Sequence, residues 1–400
     1  MFQAAVGHGI DPDSIGAVEE ALEQCQKTLG GNIPQAGIVM AAIDFEHEAI
    51  FKKIRESYPD IVLIGGTSIG EMSSAMAFQE DSLTMMLFFS DEVSFSTGVG
   101  YQTNEDSFGT ASAAIADATK PNLEQPNLEQ PEIKLCYAIG DGLLIDGVAM
   151  VNGIRSALGP TVPIIGGLSA DAWQFKETYQ FISTPSKTEV LQAAVVVLTF
   201  AGNLKVSYGV ATGQRPIGPK ATVTKSKGRT LCEVDGAPTV DFYVKTLGVS
   251  DVWLSGGGSW CGAIAVYEHN ETDFYLRSPS SNRNSDGGIT YFGHVAEQST
   301  IQLTEADNES LLSATKEAFQ KAQSAYPGTC PSAALMISCA SRMKALGTRV
   351  KEEYQLVEQF LGPELPNMGF YAYGEISPFT GQTTTHFHNE TFTALLLGTQ

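Results

Sequence analysis

Apolar residues along this chain follow two periods, and the changes between them mark out its elements. A spacing of three and four places Ile15, Val18, Leu22, Cys25 and Leu29 on one stripe of a helix over 13–29, ended by Gly30-Gly31. Two short, wholly apolar runs follow at 38–43 and 61–64, bracketing a helix over 45–57. Buried strand, helix, buried strand predicts a parallel pair joined by a crossover. The same series recurs as the run 135–139, a helix over 146–158 with Val148, Val151, Ile154 and Leu158 on its face, and the run 162–165. Downstream, 83–89 with 93–99 matches 194–200 with 204–210 at a constant offset. The later member of each of these pairs alternates apolar and polar residues, which predicts half-exposed strands in antiparallel hairpins.

The two series also share a joint. Ile64-Gly65-Gly66-Thr67-Ser68 closes one, and Ile165-Gly166-Gly167-Leu168-Ser169 the other. Apolar alternation, turn and glycine kept in register indicate an internal duplication over about 36–100 and 133–213. A looser third copy runs through the strand 334–339, a helix carrying Val350, Tyr354, Val357 and Leu361, the segment 368–375 and a closing strand at 392–397. The fold class expected is therefore α/β, with repeated strand-helix-strand units in mixed sheets: two lobes in the N-terminal half and a related C-terminal domain. The lysine-rich stretch 213–232 is read as the connection between domains, dividing the chain into 1–215 and 216–400. Beyond it come a short helix at 241–247, strands at 263–267 and 274–277, and a polar loop at 278–288. A long helix over 304–325 is expected to start with a capping box of Thr304 and Asp307. The tandem Pro-Asn-Leu-Glu-Gln of 121–130 reads as an exposed loop.

Bulk properties narrow the function. A net charge of −21 argues against a phosphate-backbone partner and against anionic membrane surfaces. No run of apolar residues is long enough to span a bilayer, and the N-terminal residues lack a secretory pattern. The six cysteines are scattered with no CxxC pair, as expected of a reduced, cytosolic protein. Gly256-Gly257-Gly258-Ser259 lacks the lysine and spacing of a P-loop, GxGxxG is absent, and so is the GxSxG nucleophile elbow.

The motifs resemble the FIST family, sensory domain pairs of microbial signalling proteins and some eukaryotic F-box proteins. The resemblance is carried in the first part by the two Gly-Gly joints with Gly70-Glu71 and Ala170-Asp171. In the second it is carried by Arg215-Pro216-Ile217-Gly218-Pro219, Val234-Asp235-Gly236-Ala237-Pro238, Ser338-Cys339-Ala340-Ser341-Arg342, Tyr373-Gly374-Glu375-Ile376-Ser377-Pro378 and Phe387-His388-Asn389-Glu390-Thr391. It implies a module that binds a small ligand, such as an amino acid, and signals to a separate partner protein. One branch of the family is similar to haem-binding nitric-oxide sensors that regulate a histidine kinase.

Candidate ligand-binding residues follow from chemistry and from these motifs. Glycine joints at the carboxyl ends of parallel strands admit a ligand to backbone N–H groups, which selects Gly66, Thr67 and Gly167, with Glu71 and Asp171 nearby. Tight turns and close packing between lobes are the bland alternative. Cys339 and Arg342 suit a carboxylate clamp beside a thiolate, against core packing with an Arg342–Glu375 ion pair. Tyr373, Glu375, Asn389 and Thr391 suit the rest of a zwitterion, with its ammonium on Glu375. No cofactor is expected under this reading. Under the haem alternative, His388 and His294 are the axial candidates, since His386-Phe387-His388 places two imidazoles on one strand face. A third reading makes Cys339 the nucleophile of an enzyme, without a recognisable base.

Overall fold

The computed structural model describes residues 1–120, 131–248, 262–267, 274–280 and 284–400. The pentapeptide repeat and the triple-glycine run therefore lie outside the described residues, as does part of the polar loop. The first unit comprises β1 (Phe2–Gly9), α1 (Ser14–Leu29), β2 (Ala36–Ala42), α2 (His47–Ser57), β3 (Val62–Ser68), the hairpin β4 (Glu71–Ser73) and β5 (Ala77–Gln79), and β6 (Leu83–Ser90). The second repeats it: β7 (Val93–Tyr101), α3 (Ser107–Ala118), β8 (Ile133–Gly140), α4 (Gly147–Leu158), β9 (Ile164–Leu168), the hairpin β10 (Gln180–Thr184) and β11 (Lys187–Leu191), and β12 (Ala194–Gly202). The third opens with β13 (Lys205–Ala211) and is then interrupted by β14 (Arg215–Lys227), β15 (Thr230–Val234), β16 (Ala237–Pro238), α5 (Thr239–Leu247), β17 (Ile264–Tyr267), β18 (Phe274–Arg277), β19 (Ile289–Thr290) and β20 (Thr300–Glu305). It resumes with α6 (Asn308–Ala325), β21 (Ala333–Cys339), α7 (Ala340–Leu346), α8 (Val350–Leu361), β22 (Asn367–Ala372), the hairpin β23 (Glu375–Pro378) and β24 (Thr385–His388), and β25 (Phe392–Gly398).

Three six-stranded sheets share one wiring, with orders β1-β6-β2-β3-β10-β11, β7-β12-β8-β9-β23-β24 and β13-β25-β21-β22-β4-β5. In each, the two strands flanking the crossover helix are parallel and the remaining neighbours antiparallel, so the expected parallel pairs and mixed sheets are present. Each unit donates its hairpin to another unit's sheet: β4–β5 goes to the third, β10–β11 to the first and β23–β24 to the second. The units thus close on one another in a ring. Alternate strand residues face inward. Ile38, Met86 and Phe88 meet Tyr137, Ile139 and Leu198, and Leu335, Ile337 and Phe370, in one central core. The opposite strand faces pack under the helices. Burial on both faces explains why the strands read as unbroken apolar runs.

Three expectations are corrected. The strands 83–89 and 93–99, and likewise 194–200 and 204–210, do not pair as hairpins. β6 lies in the first sheet while β7 crosses to the edge of the second, and β12 and β13 part in the same way. Their half-exposed alternation belongs to an edge position. The stretch 213–232 is not a linker: β14 pairs with β15 and β20 in a fourth sheet with its own core of Val223, Tyr243, Ile264 and Tyr291. Finally, 300–305 is a strand, and the long helix starts at Asn308 under Asp307, which forms its capping box with Ser310.

Candidate functional site

The glycine joints are filled. Gly65, Gly166 and Gly369 occupy equivalent places, opposite Val39, Ala138 and Met336 of the parallel partner strand. A Cβ there would fall 1.9 Å from Val39 O, 1.8 Å from Ala138 O and 2.9 Å from Met336 O. At the next position, a Cβ on Gly66 would meet Ser169 Oγ at 2.4 Å, and one on Gly167 would meet Gly374 O at 2.9 Å. The backbone of Thr67 is spent on Tyr179 and Ala170, its N–H donating to Tyr179 O at 3.0 Å. Its hydroxyl accepts the Tyr179 N–H. Close packing between units, and not ligand access, is what these residues provide. The carboxylate of Asp171 is likewise occupied: it accepts from the N–H groups of Phe175, Lys176 and Glu177 and from the Tyr373 hydroxyl at 2.6 Å.

Glu71, Gln180 and Glu375 are also equivalent. Each opens a donated hairpin, is fully buried, and accepts a hydrogen bond from the first residue of the closing strand of its own unit or the residue just before it. The donors are Ser82 Oγ, Ala194 N and Thr391. Ser68 also donates to Glu71, and Ser82 is further bonded to His8 Nε2 at 2.9 Å. Burial pushes the Glu71 carboxyl up to about 7.

The third copy of this lock is incomplete. Glu375 Oε2 accepts from the Thr391 N–H at 3.0 Å and its hydroxyl at 2.8 Å. Its Oε1 and the Asn389 amide nitrogen have no hydrogen-bond partner among the described residues. Burial pushes the Glu375 carboxyl up to about 8. The Cys339 thiol is driven well above its ordinary range by burial, then by the charges of Glu375 and Glu390. That is the reverse of an activated nucleophile.

Arg342 does not serve this cluster. Fully buried, it pairs with Glu353 at 2.6 Å, not with Glu375. It also donates to the carbonyls of Thr212 and Leu311 and to Thr315 Oγ1. Ser338 and Tyr371 satisfy the other Glu353 oxygen at 2.8 and 2.7 Å. A buried guanidinium so enclosed is a structural ion pair, and a carboxylate clamp is replaced by an internal carboxylate.

A cleft of about 920 Å³ opens on the outer side of the β23–β24 hairpin. Its walls are α4 (Val148, Val151, Asn152, Arg155), the fourth sheet with its following loop (Phe274, Tyr275, Arg277, His294, Ala296), and the hairpin tip (Phe379, Thr380, Thr385, His386, Phe387), with Lys321 of α6 at one side. No carboxylate is among the described residues lining it. Arg155 bonds Asn152 Oδ1 at 2.8 Å and pairs with no described carboxylate, whereas Lys321 is shared with Glu317 at 2.7 Å. Arg277 donates to Phe387 O and stacks over Tyr275, fixing the fourth sheet to the hairpin. Of the expected site residues only His294 reaches this cleft. Arg155, Asn152, Lys321 and Phe379 carry no motif, since three elements distant in sequence bring them together.

The two histidine candidates separate. His388 is buried, its Nε2 is bonded to Ser377 O at 2.9 Å, and desolvation pushes it down to about 3. It has no face open to an iron. His294 keeps Nδ1 on Gly228 O at 2.7 Å and turns towards the cleft. Among the described residues no cluster of three metal-ligating side chains is found. No helix among them is long and apolar enough to cross a membrane.

Comparison with known proteins places these features in a family. An uncharacterized protein of Mycobacterium tuberculosis is 23% identical over 400 residues, covering 96% of this chain and 97% of its own. One from Mycobacterium bovis is 26% identical over 234 residues, 57% of this chain and 58% of its own. Among solved structures, a cyanuric acid hydrolase from A. caulinodans aligns over 100% of this chain and 99% of its own, with 8% identity and a TM-score of 0.40. The FIST N domain model matches residues 35–237 and the FIST C domain model residues 239–378. The chain belongs to the FIST family, whose domains are generally sensory and ligand-binding.

Proposed function

We propose that this protein is a cytosolic sensor that takes a small ligand into the cleft between α4, the fourth sheet and the β23–β24 hairpin, and passes the signal to a separate partner protein. The observation that carries the reading is the hairpin itself. Phe379, His386 and Phe387 form a wall of the cleft, while Glu375, His388 and Asn389 of the same hairpin and its following turn enter the buried polar cluster. A ligand pressing on the tip therefore acts on the third unit's hydrogen-bond lock, at the point where its hairpin enters the second unit's sheet. The cleft lies within the size range of small-molecule sites and carries few convergent polar groups among apolar ones.

Thermal unfolding against a panel of amino acids, organic acids, nucleotides and aromatic metabolites tests this, in the wild type and in Ala296→Trp, which fills the cleft. At least one compound is expected to raise the wild-type midpoint and not that of the variant. Equal stabilisation of both proteins, or none of either, contradicts it.

One observation favours a second reading. His294 has its Nδ1 held by a carbonyl and its other nitrogen available, the arrangement usual for a metal-ligating imidazole. Haem bound there would supply an iron able to take a diatomic gas, with a histidine kinase as the regulated partner. A Soret band after reconstitution, lost in His294→Ala, supports this reading, and a colourless protein contradicts it.

A further inference from the structure

We infer that the ligand of the cleft is a planar aromatic anion, an aromatic carboxylate or phosphate, held with its charge on Arg155 and its ring among Phe379, His386 and Tyr275. The inference rests on the cleft being the ligand site and adds the ligand's class.

Charge argues first. The chain carries a net −21, yet the described cleft lining holds arginine, lysine and histidine and no carboxylate. Such a concavity concentrates anions against the field of the surrounding surface. Arg155 is half-buried on α4, and among the described residues its side chain bonds a neutral amide one turn earlier. A guanidinium so placed keeps donors for a bidentate anion. Arg342, by contrast, directs both terminal nitrogens to internal acceptors.

Ring chemistry argues second. Phe379 lies 5.0 Å from His386, and both are half-buried at the hairpin tip. Tyr275 presents a half-buried ring across the cleft. Flat apolar walls bordering a cationic end fit a flat ligand with one charged end, since stacking and charge pairing then act together. An aliphatic amino acid zwitterion would place its ammonium against these same cations.

A matched set of ligands decides the point: benzoate, phenyl phosphate, the neutral benzamide, the cationic benzylamine and the ring-free acetate. Binding is measured by calorimetry to the wild type, Arg155→Gln, Arg155→Lys and Ala296→Trp. Benzoate and phenyl phosphate are expected to bind at least tenfold more tightly than benzamide or acetate, with benzylamine undetected. Arg155→Gln is expected to remove the preference over benzamide, Arg155→Lys to retain most of it, and Ala296→Trp to abolish binding. If benzamide or benzylamine binds as well as benzoate, and Ala296→Trp still abolishes binding, the anion class is overturned while the cleft remains the ligand site. If none of the five binds although a compound of the metabolite panel does, the inference is likewise overturned. Anion binding unchanged in Ala296→Trp overturns both.

Discussion

At Glu375 a fully buried carboxyl keeps one oxygen on Thr391 and leaves the other without a described partner. Desolvation raises it from an ordinary 4.5 to about 8. A folded-state value above the unfolded one means that the folded protein holds the extra proton. The associated stability is full below 4.5 and is lost as pH rises through about 8. Glu71, raised to about 7, works in the same sense. His8 and His388, lowered to about 4 and about 3, work in the other, contributing above 6.5 and losing it as pH falls. Glu375→Gln is therefore expected to lose less thermal stability between pH 6 and 9 than the wild type. Parallel pH profiles would contradict this role. For Arg342, removal of one member of a buried pair leaves an uncompensated charge, so Glu353→Ala should cost about 3–5 kcal/mol in urea denaturation. A loss under 1 kcal/mol would be inconsistent with the enclosed pair. Cys339, buried and protonated, should resist iodoacetamide at neutral pH while exposed Cys330 is labelled. Preferential labelling of Cys339 would restore the nucleophile reading.

Among elements, the parallel strand pairs were legible because burial on both faces writes them as unbroken apolar runs. The third copy was legible through its strand and glycine order. What could not be read was the partner of each half-exposed strand. Alternation in β7 and β13 reports an edge, but pairing across units is set by chain closure, which leaves no local trace. β14 was missed for a related reason: its exposed lysines on an edge-rich sheet resemble the composition of a linker. The Gly-Gly signal was real but structural, since the first glycine lets β3 approach the Val39 carbonyl. Gly65→Ala must push the two backbones apart and is expected to cost about 1–3 kcal/mol, measured by the urea midpoint. An unchanged midpoint would show that the close approach is not needed.

Over the whole molecule, three copies of one unit exchange hairpins around a common apolar core, and the fourth sheet covers one exchanged hairpin. The family motifs near the C-terminus largely build that exchange, which is why most candidate residues proved to be buried locks. The family motifs include the hairpin that borders the cleft, while the cleft's cations come from elements distant in sequence and were invisible one at a time. Hydrogen exchange of the intact chain, with and without the most stabilising compound of the panel, tests the central claim most directly. Protection of 147–158 and 375–391 together is the predicted result. Protection confined to any other segment would contradict a ligand in this cleft.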